Sequence, residues 1–456
     1  MTEATPVLTE IEQAERRKRM RSLATPAGTP LLLAGLVLAT GLAAGAESVP
    51  AHRFPSTTRP SIASKSTQRP LPQPNIVEPQ CYADLDGIDT DGDGDPNDDV
   101  VCRHLAAGDG FLKMADGSDI YSFGFMEVTG VPAEDVMMTS MLGAEFSAPT
   151  MVFREGQRVY LSLTNVGMAM RPDLFDPHSV HFHGFPQAAP VYDGEPMASQ
   201  VIAMGNTFVY YYDLVHPGTF MYHCHVEASE HMQMGMLGQL YVEPKQNMLP
   251  DGTPLGTFTH HSGYKYVYND GDGSTFYDVE FPIQMTSFDP NFHAADLNIQ
   301  PPPFAVMKDV YPMLNGRGYP DTCNPANLMN NRSAFRGDMP DKEAQKTNAI
   351  VTAARGQKIL LRISSLATTD FYTLGCLGIP MRIVGRGADI LRGPDGKNLS
   401  YETTSVELGG GEAVDAILDT TDIAPGTYYL YTTNLAHLAN NAEDYGGMMT
   451  EIVVTP

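Results

Sequence analysis

Basic residues are scarce in this 456-residue sequence: 29 lysines and arginines stand against 54 aspartates and glutamates. Nine of the basic and only six of the acidic residues fall in the first 80 positions, so the remainder carries 20 basic against 48 acidic residues and a formal charge of −28. A field of that sign excludes nucleic acid as a partner and attracts cations, reduced metal ions included. Cysteine is also sparse. Cys81, Cys102, Cys224, Cys323 and Cys376 are too few to staple a chain of this length, and an odd count leaves one without an intramolecular partner. There is no phosphate loop, no glycine-rich dinucleotide motif and no Ser-His-Asp arrangement, which removes nucleotide-dependent and serine-nucleophile chemistries. Long apolar runs are absent too, and the stretch from Leu31 to Leu42 is short for a permanent membrane span.

That stretch follows Arg16-Arg17-Lys18-Arg19-Met20-Arg21 and ends in the small residues Ala44-Gly45-Ala46, so residues 1–46 read as a signal peptide or N-terminal anchor. The expected location is therefore periplasmic or secreted, where cysteines pair. Residues 47–80, rich in Pro, Ser, Thr and Gln, read as a disordered linker. Cys81 and Cys102 flank one short segment and make a natural disulfide; Cys323 with Cys376 then follows by elimination. Between the first pair, Asp89, Asp91, Asp93 and Asp95 alternate around Gly92 and Gly94, the pattern of an aspartate-rich calcium loop or of a solvated acidic turn. Val100 stands where an EF-hand requires glutamate. Residues 81–110 are taken as this calcium-loop segment.

From residue 111 onward, short β-type runs alternate with Gly and Pro turns, and no sustained helical period is present. An internal repeat runs through them. Glu155-Gly156-Gln157-Arg158-Val159 matches Arg355-Gly356-Gln357-Lys358-Ile359, Pro217-Gly218-Thr219-Phe220 matches Pro425-Gly426-Thr427-Tyr428, and Gly235-Met236 matches Gly447-Met448. Three matches in one order predict two tandem all-β domains, 111–245 and 250–456.

The chemistry is concentrated in the first copy. In a strand, His223 and His225 share one face and Cys224 takes the other. A thiolate, two imidazoles and a weak axial thioether make a blue-copper site, and His178, Cys224, His231 and Met236 supply that set. His181 and His183 alternate in the same way and, with His223 and His225, make a four-imidazole face open to further copper. Zinc is the alternative metal for Cys and His, but eight candidate ligands exceed its usual four. Glu227 and Glu230, between Cys224 and His231, read either as a solvated face or as a receiver for a cationic substrate.

HSVHFHG (178–184) and HCHVEASEHMQMGM (223–236) resemble the copper motifs of multicopper oxidases, and the resemblance extends over both repeats. It implies tandem cupredoxin-like Greek-key β-barrels, related to laccases and copper nitrite reductases and assembled as a homotrimer. It further implies type 1 copper on His178, Cys224, His231 and Met236, type 2/type 3-like copper on His181, His183, His223 and His225, and Asp193 as a proton-relaying carboxylate, where the residues themselves read equally as a turn aspartate before Gly194. The implied activity is one-electron oxidation of a phenolic or low-valent metal donor with reduction of dioxygen. A nitrite-reductase-like enzyme and a non-catalytic electron carrier are the alternatives. Three departures stand out. Ser179 replaces the proline usual after the first histidine, and the Cys224-to-His231 loop is lengthened. The second copy reads Tyr431-Thr432-Thr433 against HCH and Leu377-Gly378-Ile379-Pro380-Met381 against HFHG, so four of the eight imidazoles of a full trinuclear cluster are missing. His437, nearest the degenerate strand, is the residue to test as a donor to a neighbouring subunit.

Overall fold

The computed structural model describes Cys81 and residues 84–456, so the expected signal segment (1–46) and the expected linker (47–80) lie outside the described residues. Two β-sandwich barrels follow one another. In the first, β1 (Val100–Lys113), β2 (Asp119–Glu127), β4 (Arg158–Gly167) and β6 (Thr207–Asp213) form a sheet in the order β2-β1-β4-β6. Facing it are β3 (Ala148–Arg154), β5 (His181–Phe182), β7 (Gly218–His223) and β8 (Leu237–Glu243), in the order β3-β8-β7-β5. The boundary expected at residue 111 falls inside β1. Alternate residues Leu105, Ala107 and Phe111 of that strand enter the first core, so the aspartate segment leads directly into a central strand.

The second barrel repeats this plan. Its principal strands are β9 (Val279–Phe288), β10 (Tyr311–Leu314), β11 (Val351–Ala354), β12 (Lys358–Ser365), β13 (Tyr372–Cys376), β14 (Met381–Arg386), β15 (Ser405–Leu408), β16 (Glu412–Asp419), β17 (Gly426–Tyr431) and β18 (Met449–Thr455). The order β10-β9-β12-β16 reproduces β2-β1-β4-β6, and β11-β18-β17-β13 reproduces β3-β8-β7-β5. Even the parallel pairs recur: β1 with β4 and β3 with β8, then β9 with β12 and β11 with β18. The sequence repeat has a local cause. Gly156 and Gly356 take φ of 104° and 95°, open to glycine at little cost, and the following glutamine accepts a backbone N–H across the turn, Gln157 from Arg154 at 2.9 Å and Gln357 from Ala354 at 2.7 Å.

Each barrel has its own core, the first containing Phe123, Leu161, Tyr210, Leu240 and Cys224 itself, the second Ile283, Leu361, Leu374, Val414 and Ile452. A third apolar cluster joins them, with Phe146, Met221 and Leu237 from the first barrel against Phe288, Tyr311 and Leu366 from the second. Each such side chain, fully buried, contributes roughly 1.5–3 kcal/mol. Arg362 crosses the same seam. Fully buried, it bonds Glu280 at 2.8 Å and Thr219 Oγ1 at 3.2 Å, lies 3.7 Å from Asp415, and stacks 4.3 Å from the ring of Tyr241.

Cys81 and Cys102 form the expected disulfide. The pairing of Cys323 with Cys376 is corrected: both are free thiols. Cys376 pairs with Leu430 on β17, which pairs in turn with Thr450 on β18, and it is Thr450 Oγ1 that Cys323 touches at 3.7 Å. Two strand spacings, about 10 Å, separate Cys376 from Thr450. That span exceeds what a disulfide bridges.

Candidate metal centre

β5 and β7 are antiparallel neighbours whose register sets His181 opposite His223 and Phe182 opposite Tyr222. Since side chains alternate along a strand, Phe182 and Tyr222 enter the first core while the histidines gather on the opposite face. Beyond the end of β7 the chain turns into Cys224, whose side chain returns to the core. The loop that follows carries a short helix, Ala228–Gln233, absent from the strand-and-loop reading of the sequence. It swings His231 back over Cys224.

The first site is buried throughout. His178, Cys224, His231 and Met236 have no measurable exposure, and the ligand atoms of the first three lie within 4.8 Å of one another. Cys224 Sγ is 3.2 Å from His231 Nδ1 and 3.8 Å from His178 Nδ1. Backbone bonds knot the set together: Cys224 N–H donates to the Met236 carbonyl at 3.0 Å, and Met236 N–H to the His231 carbonyl at 2.8 Å. Burial pushes the Cys224 thiol up to about 12 and His231 down to about 4, and it holds His178 well below the ordinary imidazole range, with the neighbouring His231 adding to it. Neutral imidazoles are what a metal takes, and a bound cation would deprotonate the thiol. A thiol and two imidazoles converging from a dry shell, with Met236 packed in the same core, fit copper. Ser179, where the multicopper oxidase motif has proline, keeps a backbone N–H that reaches Cys224 Sγ at 3.4 Å, and its hydroxyl accepts from His225 N–H at 3.2 Å.

The second site presents the other ring nitrogen. His181 Nδ1 lies 2.7 Å from the Asp193 carbonyl, His223 Nδ1 lies 2.7 Å from the Cys224 carbonyl, and His183 donates to the backbone of Gly411 in the second barrel. A nitrogen facing a carbonyl oxygen carries the hydrogen, so each ring offers Nε2 as a lone pair. His183 Nε2 and His223 Nε2 approach to 2.9 Å, and His181, His183 and His223 form a second potential metal-binding group. Burial, ahead of the other histidines nearby, pushes His223 down to about 3 despite its bond to Cys224, so the ring stays neutral. His225 stands beside this group, its ring 4.6 Å from that of His181, but it does not join the triad. Asp193 does touch His181, its carboxylate at 3.4 Å and its carbonyl nearer. The turn after it requires glycine: a Cβ on Gly194, at φ 76°, would lie 1.9 Å from the Val180 carbonyl.

Acidic side chains flank the first site. Asp176 Oδ2 is 3.9 Å from His231 Nε2 and groups with Glu227, while Glu230 bonds Asp296 from the second barrel. Burial, then the charges of Asp296 and Glu227, push Glu230 up to about 7. Arg171 pairs with Asp296 at 2.7 Å and with Asp173 at 2.8 Å. From the same direction Gln233, fully buried, donates to Asp309 at 2.8 Å and Thr368 at 3.1 Å and accepts from Asp289 N–H at 3.2 Å. Of these, only Glu227 and Glu230 stood out in the sequence. The others lie far along the chain or, like Asp176, look ordinary beside their motif.

In the aspartate loop, Asp89, Asp91 and Asp93 come together while Asp95 instead accepts from Asn97. Arg154 neutralises much of the cluster, pairing with Asp91 at 2.8 Å, Asp93 at 2.5 Å and Asp98 at 3.1 Å. In the second barrel, β13 meets β17 through Gly375 and Tyr431 as β5 meets β7 through His181 and His223. HFHG therefore corresponds to Gly375-Cys376-Leu377-Gly378, two residues earlier than the sequence match. Sequence similarity alone carried no hydrogen-bond register to fix that offset.

Comparison with known proteins agrees with this geometry. Two family models, both described as multicopper oxidase, match residues 127–247 and 307–455. "Multicopper oxidase MCE" of Talaromyces pinophilus is 31% identical over 109 residues, which are 24% of this chain and 17% of that protein. "Copper-containing nitrite reductase" of Neisseria meningitidis is 32% identical over 96 residues, 21% of this chain and 22% of that one. The matched segments thus span about a fifth of these relatives. Among solved structures, the "Blue Copper Oxidase from Nitrosomonas europaea" superposes with a TM-score of 0.54 at 22% identity, covering 78% of this chain and 86% of that chain, a likeness of fold.

Proposed function

The chain belongs to the multicopper oxidase family, and from that premise we propose that it is a copper oxidoreductase that accepts single electrons at the Cys224 site and passes them to dioxygen at the His181–His183–His223 face. Copper, when bound, supplies one-electron redox chemistry at the first site and oxygen reduction at the second. The observation that carries the reading is the adjacency of the two groups: Cys224 belongs to one and His223 to the other, and His223 Nδ1 bonds the Cys224 carbonyl at 2.7 Å. One peptide unit and one hydrogen bond therefore join the sites.

The donor we assign is a low-valent metal cation in preference to a phenol. Asp176, Glu227, Glu230 and Asp296 stand beside His231, and the charge of the described chain draws cations toward them. Asp193 acts first as a positioning residue for His181, and its carboxylate, about one-third exposed, stands where protons can pass to solvent. The second barrel contributes no imidazole to the histidine face among the described residues; what it contributes is the Gly411 backbone that fixes His183. The second site accordingly takes one copper in place of a trinuclear cluster.

We further propose export to the periplasm or the medium, supported by the Cys81–Cys102 disulfide. Homotrimeric assembly is supported by Val191, Met197, Val201 and Met204, exposed apolar residues on the segment that also holds Asp193. The test is copper stoichiometry with electron paramagnetic resonance and oxygen uptake. Two coppers per chain, one of them type 1, with oxygen consumed in the presence of a reduced metal ion, are expected. A single copper and no oxygen uptake would sink the proposal. Three converging imidazoles and the likeness to a nitrite reductase favour a second reading, with nitrite as the acceptor. Nitrite turnover without oxygen uptake would select it.

A further inference from the structure

The second barrel lacks the HCH sequence, yet it repeats the backbone that surrounds Cys224. Cys224 N–H donates to the Met236 carbonyl at 3.0 Å, and Thr432 N–H donates to the Met448 carbonyl at the same distance. Met236 N–H donates to the His231 carbonyl at 2.8 Å, and Met448 N–H to the His437 carbonyl at 3.0 Å. His178 lies three residues before His181, the strand partner of His223; Tyr372 lies three residues before Gly375, the strand partner of Tyr431. The rings across each pocket match too: His178 and His231 are 5.0 Å apart at 58°, Tyr372 and His437 are 4.7 Å apart at 51°. Four independent correspondences thus map His178, Cys224, His231 and Met236 onto Tyr372, Thr432, His437 and Met448.

We infer that the second barrel holds a latent type 1 copper site: the backbone frame and two of four ligand side chains are in place, and only the thiolate and one imidazole are lacking. Tyr372, Thr432 and Met448 are fully buried, so the pocket has the dry shell that such a site uses. His437 Nδ1, the atom through which His231 meets Cys224, is buried with no hydrogen-bond partner. His437 therefore belongs to a pocket of its own barrel, which argues against its service as a donor to a neighbouring subunit. The inference rests on the reading of Cys224 as a copper ligand, and the test separates the two.

Three forms of the full chain would be loaded with copper: the unaltered protein, Cys224→Ser, and Cys224→Ser with Tyr372→His and Thr432→Cys. The unaltered protein should show the blue absorption band and a type 1 resonance signal; their absence would overturn the copper reading and the inference with it. Cys224→Ser should be colourless. The triple variant should regain the band and the signal and bind one more copper per chain than Cys224→Ser. A folded triple variant that stays colourless overturns the inference. Should the triple variant not fold, Cys224→Ser with Thr432→Cys alone changes little in size and should give a thiolate-to-copper band that disappears on adding His437→Ala. No band, or a band indifferent to His437→Ala, overturns it equally.

Discussion

Replacing Gly411 by alanine should weaken the second metal site while leaving the first intact, although Gly411 offers no ligand and lies 228 positions from His183 in the sequence. Two effects act together. The residue sits at φ +92°, outside the region an L side chain prefers, at a cost of roughly 1–2 kcal/mol. The added Cβ would stand 2.6 Å from His183 Nδ1 and 2.8 Å from its Cε1, closer than real contacts allow, so the imidazole must turn and its bond to the Gly411 backbone is lost. Losing a group that orients a metal-bound histidine typically costs ~10–100-fold in metal affinity, equivalent to about 1.4–2.8 kcal/mol. The assay is a competitive copper titration that follows the blue band and the second copper class separately. The second class should release its copper at lower competitor concentration and the blue band should not move. Unchanged affinity in the second class would refute the argument that Gly411 sets the His183 ring, and parallel loss of both classes would show that the substitution acts on the whole fold.

Arg362→Met should destabilise the protein by about 3–5 kcal/mol, since it leaves Asp415 without its cation and Glu280 with the more distant Lys265 at 3.5 Å; denaturant unfolding measures it. Burial pushes the Glu280 carboxyl up, but Arg362 and the other partners together outweigh this and hold it below its ordinary value. Its contribution is therefore full above the unfolded carboxyl value of roughly 4.3 and is lost as pH falls through the lower folded value. The stability gap between wild type and Arg362→Met should accordingly narrow below pH ~4, and a gap that widens there would contradict the assignment. Gln233→Leu orphans Asp309 Oδ1 and Asp289 N–H, at roughly 1–3 kcal/mol each. It should lower the melting temperature and alter the type 1 resonance parameters through His231, two residues away; an unchanged spectrum would show that the loop holds itself. Ser179→Pro removes the N–H that reaches Cys224 Sγ, and protein-film voltammetry should find a lower potential at the first site. A differential of ~1 kcal/mol corresponds to about 40 mV for one electron.

How far the site could be read in advance depended on chain distance. HCH, which starts at the last residue of β7, and HFH, which starts in β5, are local patterns whose period-two alternation already separates Cys224 from its flanking histidines, and the convergence of His178, Cys224 and His231 follows that reading. The repeat was legible for the same reason: a turn needing positive φ and a glutamine able to close it are short-range requirements, met twice. Cys323 and Cys376 mark the limit. Elimination paired them because sequence counts cysteines, whereas strand β17 holds Cys376 two spacings from the residue that Cys323 touches.

What the sequence by itself determined is the chemistry of the donors and the side of the strand each takes, because residue type and backbone alternation are properties of neighbours along the chain. Only the tertiary structure decided how many imidazoles converge, that Gly411 and Asp193 turn Nε2 of two of them toward a common centre, and that His437 occupies in the second barrel the place of His231 in the first. These outcomes depend on hydrogen-bond register and on contacts between segments up to a few hundred residues apart. No local pattern encodes them, since the groups that orient the ligands are backbone carbonyls that every residue carries.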